Sequence, residues 1–152
     1  MISKEVKNYI DKSVLCWLAT CNKALIPNVS PKEIFTCIND TSLLIANIAS
    51  HNSIKNIQEN PNVCVSFVDI FVQKGYKLKG IATIISWEDA GFALKLKQLT
   101  DIFTDKFPIQ SVIEVEITQV DRIEAPSYFL YPETTEESQV LGAMKTYNVQ
   151  KA

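Results

Sequence analysis

A chain of 152 residues that is 47% hydrophobic and 21% charged is long enough for one domain with a real core, and its composition is not that of a disordered or low-complexity segment. Fifteen basic and seventeen acidic residues give a net charge of −2, which argues against nucleic acid as the main partner. Arg122 is the one arginine and His51 the one histidine, so sites built on arginine clamps or on several histidines are excluded within one chain.

Ser3 to Lys12 is predicted to be a short helix, with Ser3 as its N-cap and Val6 and Ile10 on one face. Val14 to Cys21 is dense in β-formers and too short for a buried helix, so it reads as a strand. Leu25 to Ile38 is extended, but Pro27 and Pro31 keep it off a continuous central ladder. After a turn at Asn39-Asp40, Leu43 to Ile48 is a buried strand, and these first three strands are expected to form an antiparallel meander. Polar residues Ser50 to Ser53 lead into a short helix from Ile54 to Glu59 that Pro61 stops.

Val63 to Val72 begins with strand alternation, Val63, Val65 and Phe67 on one face and Cys64 and Ser66 on the other. A turn at Gln73 to Gly75 leads to a second long strand, Tyr76 to Trp87, with Gly80 marking a bend or a close backbone approach. Phe92, Leu96, Leu99 and Phe103 form one apolar stripe, so Glu88 to Lys106 reads as the longest helix. Ile109 to Ile123 is the last of six predicted strands. An acidic, aromatic tail follows, with a further helix expected between Glu133 and Tyr147. Six strands with one long helix among them exclude a parallel α/β sheet, and a small antiparallel barrel with flanking helices is the natural closure. Residues 1–124 are assigned to this mainly β domain and 125–152 to an extension packed on the barrel or on a partner subunit.

No apolar run reaches membrane-spanning length, the first segment is polar, and Cys16, Cys21, Cys37 and Cys64 form no C-x-x-C pair. A cytoplasmic, reducing setting and no membrane partner are therefore expected. Two segments carry candidate chemistry. Ser50, His51, Asn52 and Ser53, with Lys55 one turn in, place hydroxyl, amide and basic groups at a helix start, where free N–H groups and the dipole favour a phosphate. The same residues also describe an ordinary capped helix. Pro27 to Glu33 leaves backbone groups unpaired beside Lys32, as a flat heteroaromatic ring requires, but also as any irregular edge strand does. Neither segment supplies an obvious acid–base catalyst or a metal-ligand cluster.

In order and spacing, the chain resembles the pyridoxamine-phosphate-oxidase-like FMN-binding split-barrel proteins. The carriers are Leu18-Ala19-Thr20, Pro27 to Lys32, Leu43 to Asn47, Asn52 to Ile57 with Glu59 to Val63, and Gly75 to Ala82. The resemblance covers roughly residues 1 to 123. It implies a six-stranded split barrel that forms a homodimer with FMN in the interface. It implies that Ser30, Pro31, Lys32 and Glu33 line the isoalloxazine ring and that Asn47 ends the strand flanking it. Asn52 and Ser53 fall where a basic and a hydroxyl residue hold the FMN phosphate, and His51 and Lys55 are the candidates to supply the charge that Asn52 lacks. A true pyridoxamine-phosphate oxidase is not implied, because those enzymes use several arginines and a C-terminal tryptophan, and no tryptophan follows Trp87 here. The implied function is flavin-dependent oxidoreduction of a small molecule, of the flavin-reductase kind. The alternative is a non-catalytic split barrel that binds FMN, a deazaflavin or haem.

Overall fold

In the computed structural model, which describes residues 1–150, twelve elements follow one another. They are α1 (Lys4–Lys12), β1 (Cys16–Cys21), β2 (Pro27–Lys32), β3 (Phe35–Cys37), β4 (Ser42–Asn47) and α2 (His51–Glu59), then β5 (Asn62–Asp69), β6 (Lys74–Ile85), α3 (Phe92–Thr100), β7 (Ser111–Glu124), α4 (Ser127–Leu130) and α5 (Glu136–Tyr147). Residues 151–152, the end of the expected extension, lie outside the described residues.

The strands form one antiparallel sheet in the order β2-β1-β5-β6-β7-β4-β3. Seven strands replace the six expected, because the stretch Leu25 to Ile38 breaks at Glu33 and Ile34 into β2 and β3. Both neighbour pairings of the expected meander form, β1 with β2 and β3 with β4, but the break sends the two hairpins to opposite edges of the sheet. β2 pairs with β1 alone, whereas β4 pairs with β3 and β7. Two prolines deprive β2 of backbone donors and fit it for an edge, while β4, buried at all six positions, belongs in the interior.

That break proves the curl of the sheet. Six strand spacings would hold the edges of a flat sheet about 29 Å apart. Lys32 and Phe35 are three residues apart along the chain and span at most about 11 Å. The two edges must therefore approach, and the sheet closes into a split barrel.

Inward-facing Leu18, Leu43, Ile45, Val65, Phe67, Leu78, Ile113 and Val115 fill the interior. Val6 and Ile10 of α1 and Ile57 of α2 join them, so both helices bury their apolar face on the barrel. Ser3 caps α1 as expected, its hydroxyl accepting from the Val6 N–H at 3.3 Å. A second cluster, with Leu44, Ala46 and Val112 facing Leu99 and Phe92, fixes α3 against β4 and β7.

Three boundaries differ from the sequence expectation. β5 ends at Asp69, whose carboxylate accepts from the N–H groups of Phe71 and Val72 and bends the apolar residues that follow into a turn. α3 spans Phe92–Thr100 rather than Glu88 to Lys106, because Asp89 accepts from the N–H and hydroxyl of Ser86 and holds the approach to the helix as a turn. α2 begins at His51, so His51, Asn52 and Ser53 form its first turn.

Candidate functional site

Alternation along β2 turns Asn28, Ser30 and Lys32 toward the protein while Pro27, Val29 and Pro31 face out. The inward row faces the approach to α2. There Ser30, Pro31, Lys32, Glu33 and Ser50 line a cleft of 440 Å³, whose apolar walls include Leu15, Ile34, Ile48 and Phe107. The sequence-predicted residues of β2 are thus gathered in one cleft.

Lys32 is the central group. It is only 6% exposed, and its ammonium donates to the hydroxyl of Ser30 at 2.8 Å and to that of Ser50. It has no carboxylate within ion-pairing distance among the described residues. Burial pushes its pKa below the usual lysine value, because the charged form has lost water without gaining a counter-ion. Cys16 lies close by, and burial pushes its thiol up to about 12, so it remains neutral.

Ser50 precedes α2 but makes no side-chain cap. Its hydroxyl serves Lys32, and its N–H donates to the Asn47 side-chain oxygen at 3.1 Å. The Asn47 amide nitrogen donates to the Ser111 hydroxyl at 2.9 Å. Asn47 is buried with both ends of its amide engaged, so it anchors the Ser50 turn to β7 rather than presenting a free group to the cleft.

The helix-start residues divide. Asn52 and Lys55 line a second cleft of 300 Å³ together with Asn28 and Glu59. Asn28 and Ser30 are successive inward positions of β2, and Ser50 and Asn52 are two residues apart, so the two clefts are neighbouring parts of one polar face. Ser53 is buried with no hydrogen-bond partner for its hydroxyl, an uncommon condition for a polar atom. His51 is exposed at the first position of α2 and lines neither cleft. No acidic residue occupies the first turn of α2.

Phe107 completes the site although the sequence did not single it out, and Ser50, read in the sequence as a phosphate-facing hydroxyl, holds Lys32 instead. Ser50 resembled one more capping residue, and only its distance to Lys32 shows the other use. Phe107 sits before Pro108 in a segment that looked like the end of a helix, and only the path of the chain after α3 brings it to the cleft.

A curled antiparallel sheet with a lysine-lined cleft between its proline-containing edge and a helix start defines a split barrel as the class of fold. Residues 2–123 match the family described as pyridoxamine 5'-phosphate oxidase, and the chain belongs to that family. No curated protein sequence matches the chain significantly. Among solved structures, HupZ of Group A Streptococcus superposes with a TM-score of 0.71 at 22% identity, over 82% of this chain and 96% of that one. An FMN-binding protein from Syntrophomonas wolfei gives 0.68 at 13% identity, over 80% and 86% of the two chains. HutZ, the heme storage protein of Vibrio cholerae, gives 0.66 at 15% identity, over 81% and 96%. At these identities the similarity is one of fold. Among the described residues, no helix is long and apolar enough to cross a membrane.

Proposed function

We propose that the protein binds FMN along the inward face of β2 and serves flavin-dependent oxidoreduction of a small molecule. The observation that carries this reading is Lys32, a buried ammonium held only by two hydroxyls on the wall of a 440 Å³ cleft. An electron-rich heteroaromatic edge would give that charge the partner it lacks. Leu15, Ile34, Ile48 and Phe107 offer apolar walls to a flat ring. Asn52 and Lys55, with the N–H groups at the start of α2, suit the phosphate end, while the buried Ser53 hydroxyl lies behind them and lines neither cleft. Asn47 positions Ser50, and Ser50 in turn orients Lys32. When bound, the flavin supplies the redox chemistry, and the chain's own residues bind and orient it.

The cofactor is completed, in this reading, by a second copy of the chain. Trp17, Val29 and Pro31 face outward on β1 and β2, with Trp17 paired to Pro31 in the ladder, and a homodimer would cover them beside the cleft. Four free cysteines, Cys16 among them fully buried, suit a reducing cytoplasm.

The test is a visible spectrum of the purified protein, with the ligand released by heat and identified by chromatography. An oxidised-flavin spectrum with FMN in the supernatant is the expected result. Lys32→Met should then weaken retention at the ring end, and Asn52→Ala and Lys55→Ala at the phosphate end. A colourless protein that takes up no added FMN overturns the reading. The haem alternative draws on one feature, the exposed His51 next to Ser50 of the cleft wall. It requires haem uptake that His51→Ala abolishes.

A further inference from the structure

We infer that Lys32 is a carbonyl-capturing amine and that the cleft takes a small aromatic aldehyde as an imine on its nitrogen. The placement carries this. Lys32 reaches the 440 Å³ cleft from a buried backbone position, and no carboxylate holds its nitrogen as an ion pair among the described residues. Lys7 and Lys74 differ in this respect: carboxylates of Asp40, and of Glu136 and Glu124, hold them charged. Beside the polar groups Ser30, Glu33 and Ser50, the cleft has apolar walls from Leu15, Ile34, Ile48 and Phe107 that can take the faces of an aromatic ring.

The chemistry balances without a further reactant. The lone pair of the neutral amine adds to the carbonyl carbon, and the carbonyl oxygen takes up a proton as the nitrogen loses one, giving a carbinolamine. Its hydroxyl then leaves as water, with the second nitrogen proton, and a C=N bond remains. Ser30 and Ser50, both hydrogen-bonded to the Lys32 nitrogen, are placed to pass these protons. Desolvation favours the neutral amine that the first step needs. The inference does not require a flavin. It makes aldehyde capture and flavin binding mutually exclusive where both use the same cleft.

Reductive trapping tests it. The full chain is treated with limiting benzaldehyde and sodium cyanoborohydride at neutral pH, and the benzyl group is located by peptide mapping. Lys32 should be modified ahead of Lys74, since burial lowers the pKa of Lys32 while the carboxylates of Glu136 and Glu124 raise that of Lys74, so Lys32 carries the larger neutral fraction. Lys32→Arg, which keeps the charge, should lose that modification, and Ser50→Ala should slow it. Benzyl groups spread over exposed lysines with Lys32 untouched would overturn the inference. Should the Arg variant fold poorly, the wild-type map and the Ser50→Ala rate still decide. A parallel titration with FMN separates the two readings. FMN that binds and protects Lys32 places both ligands in one cleft. Modification of Lys32 in a protein that binds no FMN upholds this inference and removes the flavin reading. FMN binding with an unreactive Lys32 does the reverse.

Discussion

Lys32 faces opposite demands from folding and from binding. Its ammonium is buried at an energetic cost that two serine hydroxyls only partly offset, and a ligand would recover the difference. Removing the charge should therefore stabilise the protein while weakening its site. We expect Lys32→Met to raise stability at neutral pH by about 1 kcal/mol. The pH dependence has a definite sign. The folded-state pKa lies below the unfolded value of 10.5, so the unfolded chain binds more protons in the window between the two. The Lys32 contribution to wild-type stability therefore gains as pH rises through that window, and the advantage of Lys32→Met should shrink as 10.5 is approached. Cys16, whose thiol rises from 9.0 to about 12 on folding, costs stability above pH 9, but it does so in both proteins, as do Lys7 and Lys74, and these contributions largely cancel in the comparison. Melting curves of the two proteins from neutral pH to about pH 10 check this. A constant difference would show that the Lys32 charge is not what burial penalises. The residue types at this site were legible in the sequence, since a proline-interrupted strand with a lysine is visible as such. The role of Asn47 was not, because its partners Ser50 and Ser111 are fixed only by the pairing of β4 with β7.

At the scale of elements, Gly80 shows how one residue shapes a strand. A Cβ at Gly80 would stand 2.2 Å from the Glu116 carbonyl oxygen, on the facing backbone of β7. Here the ladder shifts register: Lys79 faces Gln119 and Gly80 faces Ile117, which leaves Thr118 as the extra residue. The bulge lets two long strands bend together around the barrel. Gly80→Ala should cost about 1–3 kcal/mol, because the opposing atoms are backbone and cannot rotate away. Gly142→Ala is the internal control. Nothing lies within 4 Å of a Cβ there, and Gly142 sits within α5, so a gain of about 0.5–1 kcal/mol is expected. Urea denaturation of the two variants measures both. Local patterns of this kind were readable in the chain: Gly80 in mid-strand, Ser3 before α1, the alternation of β5. Pairing partners were not. Nothing near Leu25 to Ile38 indicates that its two halves lie on opposite edges, because that follows from which long strands, β6 and β7, occupy the centre. The helix stripe from Phe92 to Phe103 was read too long for a similar reason: the periodicity continues, but the Asp89 turn delays the start and Phe103 lies outside the helix.

At the scale of the molecule, the chain beyond the family-matched residues 2–123 is tied to the far end of the β5–β6 hairpin. Ala125 donates its N–H to the Gln73 carbonyl at 3.0 Å, and the Tyr128 hydroxyl donates to the Val72 carbonyl at 2.9 Å. Lys74 lies over the Tyr128 ring at 4.1 Å and bridges Glu124 and Glu136 at 3.3 and 2.9 Å. Phe71 meets Tyr147 edge to face at 6.3 Å. These contacts all converge on one turn, and among the described residues none of this extension lines the Ser30–Lys32 cleft of its own chain. Within one chain, then, Tyr128 ties the extension to the hairpin, and neither Tyr128 nor the exposed Tyr131 lines the Ser30–Lys32 cleft. Ending the chain at Ala125 should lower the melting temperature by several degrees, because Phe71 and Val72 lose their cover and Lys74 loses one of its two carboxylates. FMN retention by the truncated protein should match that of the full chain. A truncated protein that melts as expected but releases FMN faster would mean that the extension of one copy reaches the cleft of another, and the site would then be built from two chains at its outer wall. Glu136→Gln separates the two contributions: it weakens the Lys74 tether and leaves every aromatic side chain in place, so it should reproduce part of the melting shift and none of a change in retention.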